Sequence, residues 1–347
     1  MRHLFFGLVS VNLSTKGFEL RGIDFLYAVF NQFMFDANHN QLNAFEKGCA
    51  IVRWVKPTII KMIGTDALDL LHRLTTKELL TVDVGSARRT VLTSNRGRVI
   101  DVFVVAHVIE NTLLIISDSE DPARTISAID FFTIIEDSEL KDLSDSHTRI
   151  SLVGPKTREI MASALGLNID SDEVINLDYS GSKVTFSSDT SRGVSWVDVV
   201  LRSPEVGLVS ALLSAGAVEA DGDNFELFRI SREIPGWDRE YGDHANPIES
   251  GLYSLIDFDK GCYVGQEVIA RLDTYDKVKR SVKVLESKLP LAKGSKLTSG
   301  SKLAGIVTSP SSLASLEGRY LSLALVRKEF CKTASVVDSQ GISAVVR

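Results

Sequence analysis

Lys260-Gly261-Cys262-Tyr263-Val264-Gly265-Gln266-Glu267 packs two glycines, a thiol, a phenol, a cation, an amide and a carboxylate into one short stretch. Few purely structural segments need all of them. Gly261 and Gly265 permit backbone angles or close approaches that a Cβ blocks, which fits a loop. From Gln266 onward Val268, Ile269 and Leu272 recur at short helical spacing, which predicts a helix opening at Gly265. Glu267 then falls in the first turn, where free backbone N–H groups favour a carboxylate. Cys262 lies just outside that helix and near Lys260, two features that favour a thiolate. The spacing is equally compatible with a buried structural cysteine.

Working outward, Pro247-Ile248-Glu249-Ser250-Gly251-Leu252 precedes the stretch, Asp259 adjoins it and Arg271 follows. This long pattern of unlike residues resembles the signature of the YgfZ family of folate-binding proteins. That family is related in fold to the aminomethyltransferase (T-protein) of the glycine cleavage system, and it includes the mitochondrial factor for late iron–sulfur cluster assembly. The resemblance spans about residues 45 to 347. Fold likeness does not by itself fix function.

The 347 residues allow two or three domains, and 44% hydrophobic with 24% charged residues is ordinary for a globular protein. A net charge of −6 gives no global attraction to nucleic acid or to an anionic membrane, and neither is expected as a partner. The three cysteines, Cys49, Cys262 and Cys331, are distant and odd in number, which fits a reducing compartment. They form no CxxC pair, so no self-contained metal site is expected. Leu4 to Leu13 is mildly apolar behind Arg2 and His3, but it is too short to span a bilayer, and no small-residue cleavage site follows. The expected location is the cytoplasm, with a mitochondrial or other organelle matrix as the alternative.

Along the chain, Thr58 to Ile63 reads as a strand and Gly64-Thr65-Asp66 as a turn with an N-cap. Ala67, Leu70, Leu71 and Leu74 form an apolar helical stripe, off which His72 and Arg73 read as solvated. Val91 to Thr93 reads as a short strand and Ser94-Asn95-Arg96-Gly97 as a turn. Val99 to Val108 and Leu113 to Ser117 read as strands joined near Glu110-Asn111. Asp101, alone in an apolar run, points to solvent by strand alternation unless it is paired in the interior. Asp121-Pro122 opens a helix, Ile150 to Val153 is a strand, and Gly154-Pro155 opens a helix that Gly166 ends. Thr185-Phe186 and Trp196 to Leu201 are strands, with Asp198 read locally as exposed. Val206, Val209 and Leu213 mark a further helix. Short apolar runs at Val282 to Leu285, Leu303 to Val307, Tyr320 to Val326 and Ser335 to Val337 suggest a small β-barrel, where Cys331 reads as structural. The mixture favours α+β units, and neither a dinucleotide fingerprint nor a Walker phosphate loop is present.

The resemblance implies a T-protein-like three-domain arrangement around a central tetrahydrofolate site. Residues 1–44 would be an N-terminal extension, 45–145 and 146–279 the two parts of the folate-binding domain, and 280–347 the barrel. Asn95 to Asp101 is similar to the segment that sets an acid beside the pterin, where a carboxylate matches the amino and ring N–H groups as two acceptors. Asp198 resembles a second folate-contacting acid. Arg229 belongs to the helix that leads to a Gly-Ile-Pro turn, in which Glu233 here replaces the glycine. Lys260 and Arg271 would attract the anionic glutamate tail. Cys262 is the residue that the iron–sulfur branch carries, which implies a tetrahydrofolate-binding protein that assists assembly or repair of iron–sulfur proteins, with the assembly or client proteins as partners. A folate-dependent aminomethyltransferase is the alternative. A cysteine hydrolase ranks third, because it needs a base near the thiol and His244 is the nearest preceding histidine.

Overall fold

The computed structural model describes residues 37–202, 207–332 and 335–347. The chain divides into two units, Met1–Asn40 and Gln41–Arg347, and the sheets and barrel belong to the second. The Leu4 to Leu13 stretch and Val206 lie outside the described residues.

A helical segment over 41–47 (α1) leads into β1 (Ala50–Arg53) and β2 (Thr58–Ile63). Helix α2 (Ala67–Leu74) buries its predicted stripe of Ala67, Leu70, Leu71 and Leu74 against Ile60, Met62, Phe103 and Val105. Those partners sit on β2 and β4 (Val99–Ile109), two strands of an antiparallel five-stranded sheet ordered β3-β4-β5-β2-β6. The other members are β3 (Ala87–Thr93), β5 (Thr112–Ser117) and β6 (Glu139–Asp142). Helix α3 (Pro122–Asp130) follows β5 and opens at Asp121-Pro122 as expected, with the Asp121 carboxylate accepting from the Arg124 amide as its cap.

The second half builds a six-stranded sheet ordered β11-β1-β7-β10-β9-β8. Its strands are β7 (His147–Val153), β8 (Val174–Tyr179), β9 (Ser182–Asp189), β10 (Trp196–Arg202) and β11 (Val218–Ala220), the last parallel to β1. Helix α4 (Thr157–Leu165) ends at left-handed Gly166, and α5 (Leu208–Ser214) covers the same face, burying Ile160, Met161, Leu208 and Leu212 on Ile150, Leu152, Val197 and Val199. The two sheets meet through Ile59, Val104 and Ile116 on one side and Val174 and Val200 on the other. Helix α6 (Gly222–Ser231) packs Leu227 and Ile230 on a closed six-stranded barrel. That barrel comprises β12 (Arg280–Ser287), β13 (Lys296–Ser299), β14 (Lys302–Ala314), β15 (Tyr320–Arg327), β16 (Val336–Val337) and β17 (Ser343–Val346). Between α6 and β12 runs α7 (Gln266–Thr274).

Several local expectations change. Asp101 and Asp198 are both fully buried, so neither points to solvent. Their strands are covered on both faces, which removes the polar alternation that the expectation relied on. His72 is buried too, because it turns beneath the loop that precedes α7. Glu233 takes a left-handed φ of 54°, keeping the conformation of a glycine with a side chain in its place.

Candidate functional site

Helix α7 starts at Gln266, as the spacing predicts, with Gly265 at its N-cap and a φ of 85°. A Cβ there would approach the Ser94 carbonyl oxygen to 2.4 Å, so the helix start is pressed onto the β3–β4 turn in a way only glycine allows. The preceding loop is clamped on its other side. The Val264 amide donates to the Arg73 carbonyl at 3.2 Å, and the Thr93 hydroxyl donates to the Val264 carbonyl at 2.5 Å. Lys260 donates from Nζ to the carbonyls of His72 (2.6 Å), Thr75 (2.8 Å) and Lys77 (2.9 Å). These are carbonyls at and just beyond the end of α2, which a cation satisfies. Burial pushes the Lys260 ammonium down to about 8.

Tyr263 packs inward against Ile256 and Ile269, with the Lys260 ammonium 5.3 Å from its ring centroid. Burial pushes its phenol up to about 12, and the hydroxyl has no hydrogen-bond partner. Cys262, between these two anchors, is free and exposed. The buried structural reading therefore does not hold for this thiol, whereas Cys49 is buried and is pushed up to about 11 by that burial. Arg271 lies outside on α7, paired with Glu267 at 3.0 Å on the exposed face. Gln266 and Glu267 serve as the first residues of the helix.

A separate cavity of about 420 Å³ opens where the ends of β1 and β10 meet α6 and the turn after it. All three tryptophans of the sequence, Trp54, Trp196 and Trp237, line it together with Phe225. Trp54 directly follows β1, Trp196 opens β10, and Trp237 lies in the turn after Pro235. Two of the indoles are backed by guanidiniums: Arg149 lies 3.9 Å from the Trp54 ring centroid and Arg192 4.3 Å from that of Trp196. Arg53, Asp118, Glu120, Arg192, Asp223, Glu226, Arg229 and Arg239 supply the charged part of the lining.

Behind the cavity is a buried charge cluster. Asp118 accepts from Arg89 (2.9 Å), Arg149 (3.1 Å) and Arg192 (2.8 Å). Burial opposes its charge, yet Arg192, Arg89 and Arg149 together hold its carboxyl well below the usual range. Asp198 grips Arg149 with both oxygens, at 2.8 and 3.0 Å, and also accepts from Ser151 and the Trp196 indole. Arg149 continues to the Ser117 carbonyl at 2.6 Å, and the Ser117 hydroxyl lies 2.7 Å from Asp101. Asp101 accepts further from Thr125 (2.5 Å) and the Val102 amide (2.7 Å), while burial pushes its carboxyl up to about 6. Two buried groups near this cluster, the Tyr241 hydroxyl and Arg89 Nε, have no hydrogen-bond partner.

Asp101 and Asp198, predicted from different strands, are thus joined through Arg149 and Ser117. Arg229 lines the cavity itself, held by Glu226 on one side and Glu240 on the other. Lys260, Cys262 and Arg271 form no part of the cavity lining. Missing from the sequence reading were the three tryptophans, Asp118 and Arg192. The scarcity of tryptophan was the signal available, but the strand ends that gather the three rings are distant in sequence.

Among the described residues no group of three or more His, Cys, Asp or Glu side chains is arranged to hold a metal ion. No helix among them is long and apolar enough to cross a membrane. Compared with known proteins, the chain matches the GCVT N-terminal domain family over residues 15–190. It is 28% identical over 318 residues to the Arabidopsis thaliana protein named "Putative transferase At1g60990, chloroplastic", covering 90% of this chain and 73% of that one. It is 20% identical over 275 residues to an aminomethyltransferase of Thermotoga neapolitana, covering 76% of this chain and 75% of the relative. Among solved structures, glycine cleavage system aminomethyltransferase T from Bartonella henselae superposes with a TM-score of 0.76 at 14% identity, over 90% of this chain and 88% of the other. The fold is therefore α+β and T-protein-like, with a six-stranded barrel at its C-terminal end.

Proposed function

The chain belongs to the GCVT N-terminal domain family, whose members typically bind tetrahydrofolate, and from that premise we propose that it is a tetrahydrofolate-binding protein of the YgfZ branch that assists assembly or repair of iron–sulfur proteins. The observation that carries this reading is the exposed Cys262 thiol on a loop whose backbone is fixed from both sides. A fixed, accessible thiol is suited to hold a cluster, a sulfur species or a partner's thiol transiently. One thiolate completes no usual four-cysteine cluster site, so a partner protein contributes the other ligands.

The tryptophan cavity fits the folate. The Trp54 and Trp237 rings suit a planar pterin and benzoyl ring, and Arg239, part-exposed in the lining, suits a glutamate carboxylate. In this reading Asp101 and Asp198 are positioning residues that hold Arg149 behind the cavity and, through it, Asp118 in the cavity wall. When bound, tetrahydrofolate supplies an acceptor for a reactive one-carbon unit. The chloroplast name of one relative supports an organelle matrix over the cytoplasm.

The second reading is a folate-dependent aminomethyltransferase, favoured by the relative of that name in Thermotoga neapolitana. Depleting the protein in its own cells and assaying a cluster-dependent enzyme separates the two. Loss of that enzyme's activity is expected. Intact activity, together with glycine cleavage on a lipoyl-bearing carrier by the purified protein, would move the account to the second reading.

A further inference from the structure

The connection from α3 to β6 displays Phe131, Ile134 and Ile135 at 76, 84 and 92% exposure, with Phe132 at 36%. An exposed apolar group of this kind marks an interaction site more often than an ordinary surface. Its backbone is held in place. The Glu136 carboxylate accepts from the Ile134 and Ile135 amides at 2.9 and 3.0 Å, and Arg73 donates to its other oxygen at 3.0 Å. Phe131 and Phe132 pack edge to face at 5.0 Å, and both line a cavity of about 520 Å³ whose wall includes Val264. Cys262 is two residues from Val264, hence within about 7 Å of it along the chain. Arg73 joins the two features: its guanidinium holds Glu136 while its carbonyl holds the Val264 amide.

We propose that this patch docks a partner protein through a segment whose apolar side chains are flanked by Lys or Arg. The rim decides the occupant. From Asp130 to Leu140 there are four acids, Asp130 included, and no Lys or Arg, and three of the four, Asp130, Asp137 and Glu139, are exposed. Arg73 and Arg124 at the edge are each already paired with an acid, and Lys141 on β6 is the exposed cation next in sequence. An anionic membrane surface is repelled by such a rim. A second copy of this chain, meeting patch to patch, would set the same acids against one another. A basic-flanked apolar segment is attracted and buries the isoleucines. That the docked protein is the one that meets Cys262 rests on the function proposed above; the docking itself does not.

The test uses the full chain and two fluorescein-labelled amphipathic helical peptides, one of Leu and Lys and a counterpart with every Lys replaced by Glu, followed by anisotropy. Ile134→Ser/Ile135→Ser is the variant, and an unchanged Tm verifies its fold. The Lys peptide is expected to bind the wild type, the Glu peptide at least tenfold more weakly, and the variant to lose at least tenfold in affinity for the Lys peptide. Equal binding of the two peptides, or binding indifferent to the variant, overturns the proposal. So does wild-type self-association, or adhesion to phospholipid vesicles, that the variant abolishes. If the variant loses the peptide yet fully restores cluster-enzyme activity in depleted cells, docking stands and its link to Cys262 falls.

Discussion

The Lys260 ammonium donates to the His72 carbonyl at 2.6 Å, fastening the cysteine loop to the end of α2 from a distance of 188 residues in sequence. With the Thr75 and Lys77 carbonyls also taken, Lys260 sets the position of Cys262 rather than standing free as a surface cation. Lys260→Met leaves those carbonyls without their donor and is expected to cost about 2 kcal/mol, in the range of hydrogen bonds to charged groups. Urea unfolding of the two proteins measures it. A difference near zero would mean the clamp is dispensable.

Tetrahydrofolate binding is expected to change tryptophan emission strongly, since every tryptophan lines the cavity. Trp237→Ala should weaken binding about tenfold, the lower part of what stacking on an aromatic ring contributes. Calorimetric titration alongside fluorescence checks both. Unaltered affinity in the variant would put the folate elsewhere.

Asp101 gives a pH signature. Its folded carboxyl is raised to about 6 from an ordinary value of 3.8, so the folded state holds the proton more tightly. The associated stability is fully present below the unfolded value of 3.8 and is lost as pH rises through about 6. A shift of that size corresponds to about 3 kcal/mol. Asp118, held low by its arginines, acts in the opposite direction, so the difference between proteins is the quantity to read. Comparing wild type with Asp101→Asn from pH 4 to 7, the wild type should gain stability relative to the variant as pH falls. Parallel curves would show that Asp101 stays ionised throughout.

Glu233 carries a left-handed φ of 54° without the freedom of glycine. The side chain is exposed, so Glu233→Gly removes little contact while relieving a conformation that costs an ordinary residue about 1–2 kcal/mol. Glycine's greater unfolded freedom offsets part of this. The net expectation is unchanged or higher stability, by up to about 1 kcal/mol, in thermal unfolding. A clear loss would mean that the glutamate makes a stabilising interaction of its own.

Much of the fold was legible because it rests on local patterns. The α2 stripe, the α3 start at Asp121-Pro122, the Gly166 stop and the start of α7 at Gly265 each follow from residues a few positions apart. The short strands β6, β11 and β17 escaped because pairing across the sheet, more than their own composition, defines them. The same limit applies to the site. The cysteine loop is contiguous and could be read directly. The cavity gathers Trp54, Trp196 and Trp237 from three distant turns, and Asp101 and Asp198 meet only through Arg149. Burial of those two acids could not be read from alternation, because their sheets are covered on both faces.

The most direct measurement is restoration of a cluster-dependent enzyme in depleted cells by Cys262→Ala, with tetrahydrofolate affinity determined on the same purified variant. The account predicts wild-type folate affinity, because the thiol is not part of the cavity lining, and no restoration of the enzyme. Full restoration by Cys262→Ala would contradict it, leaving the loop a structural element and the thiol without the role assigned to it.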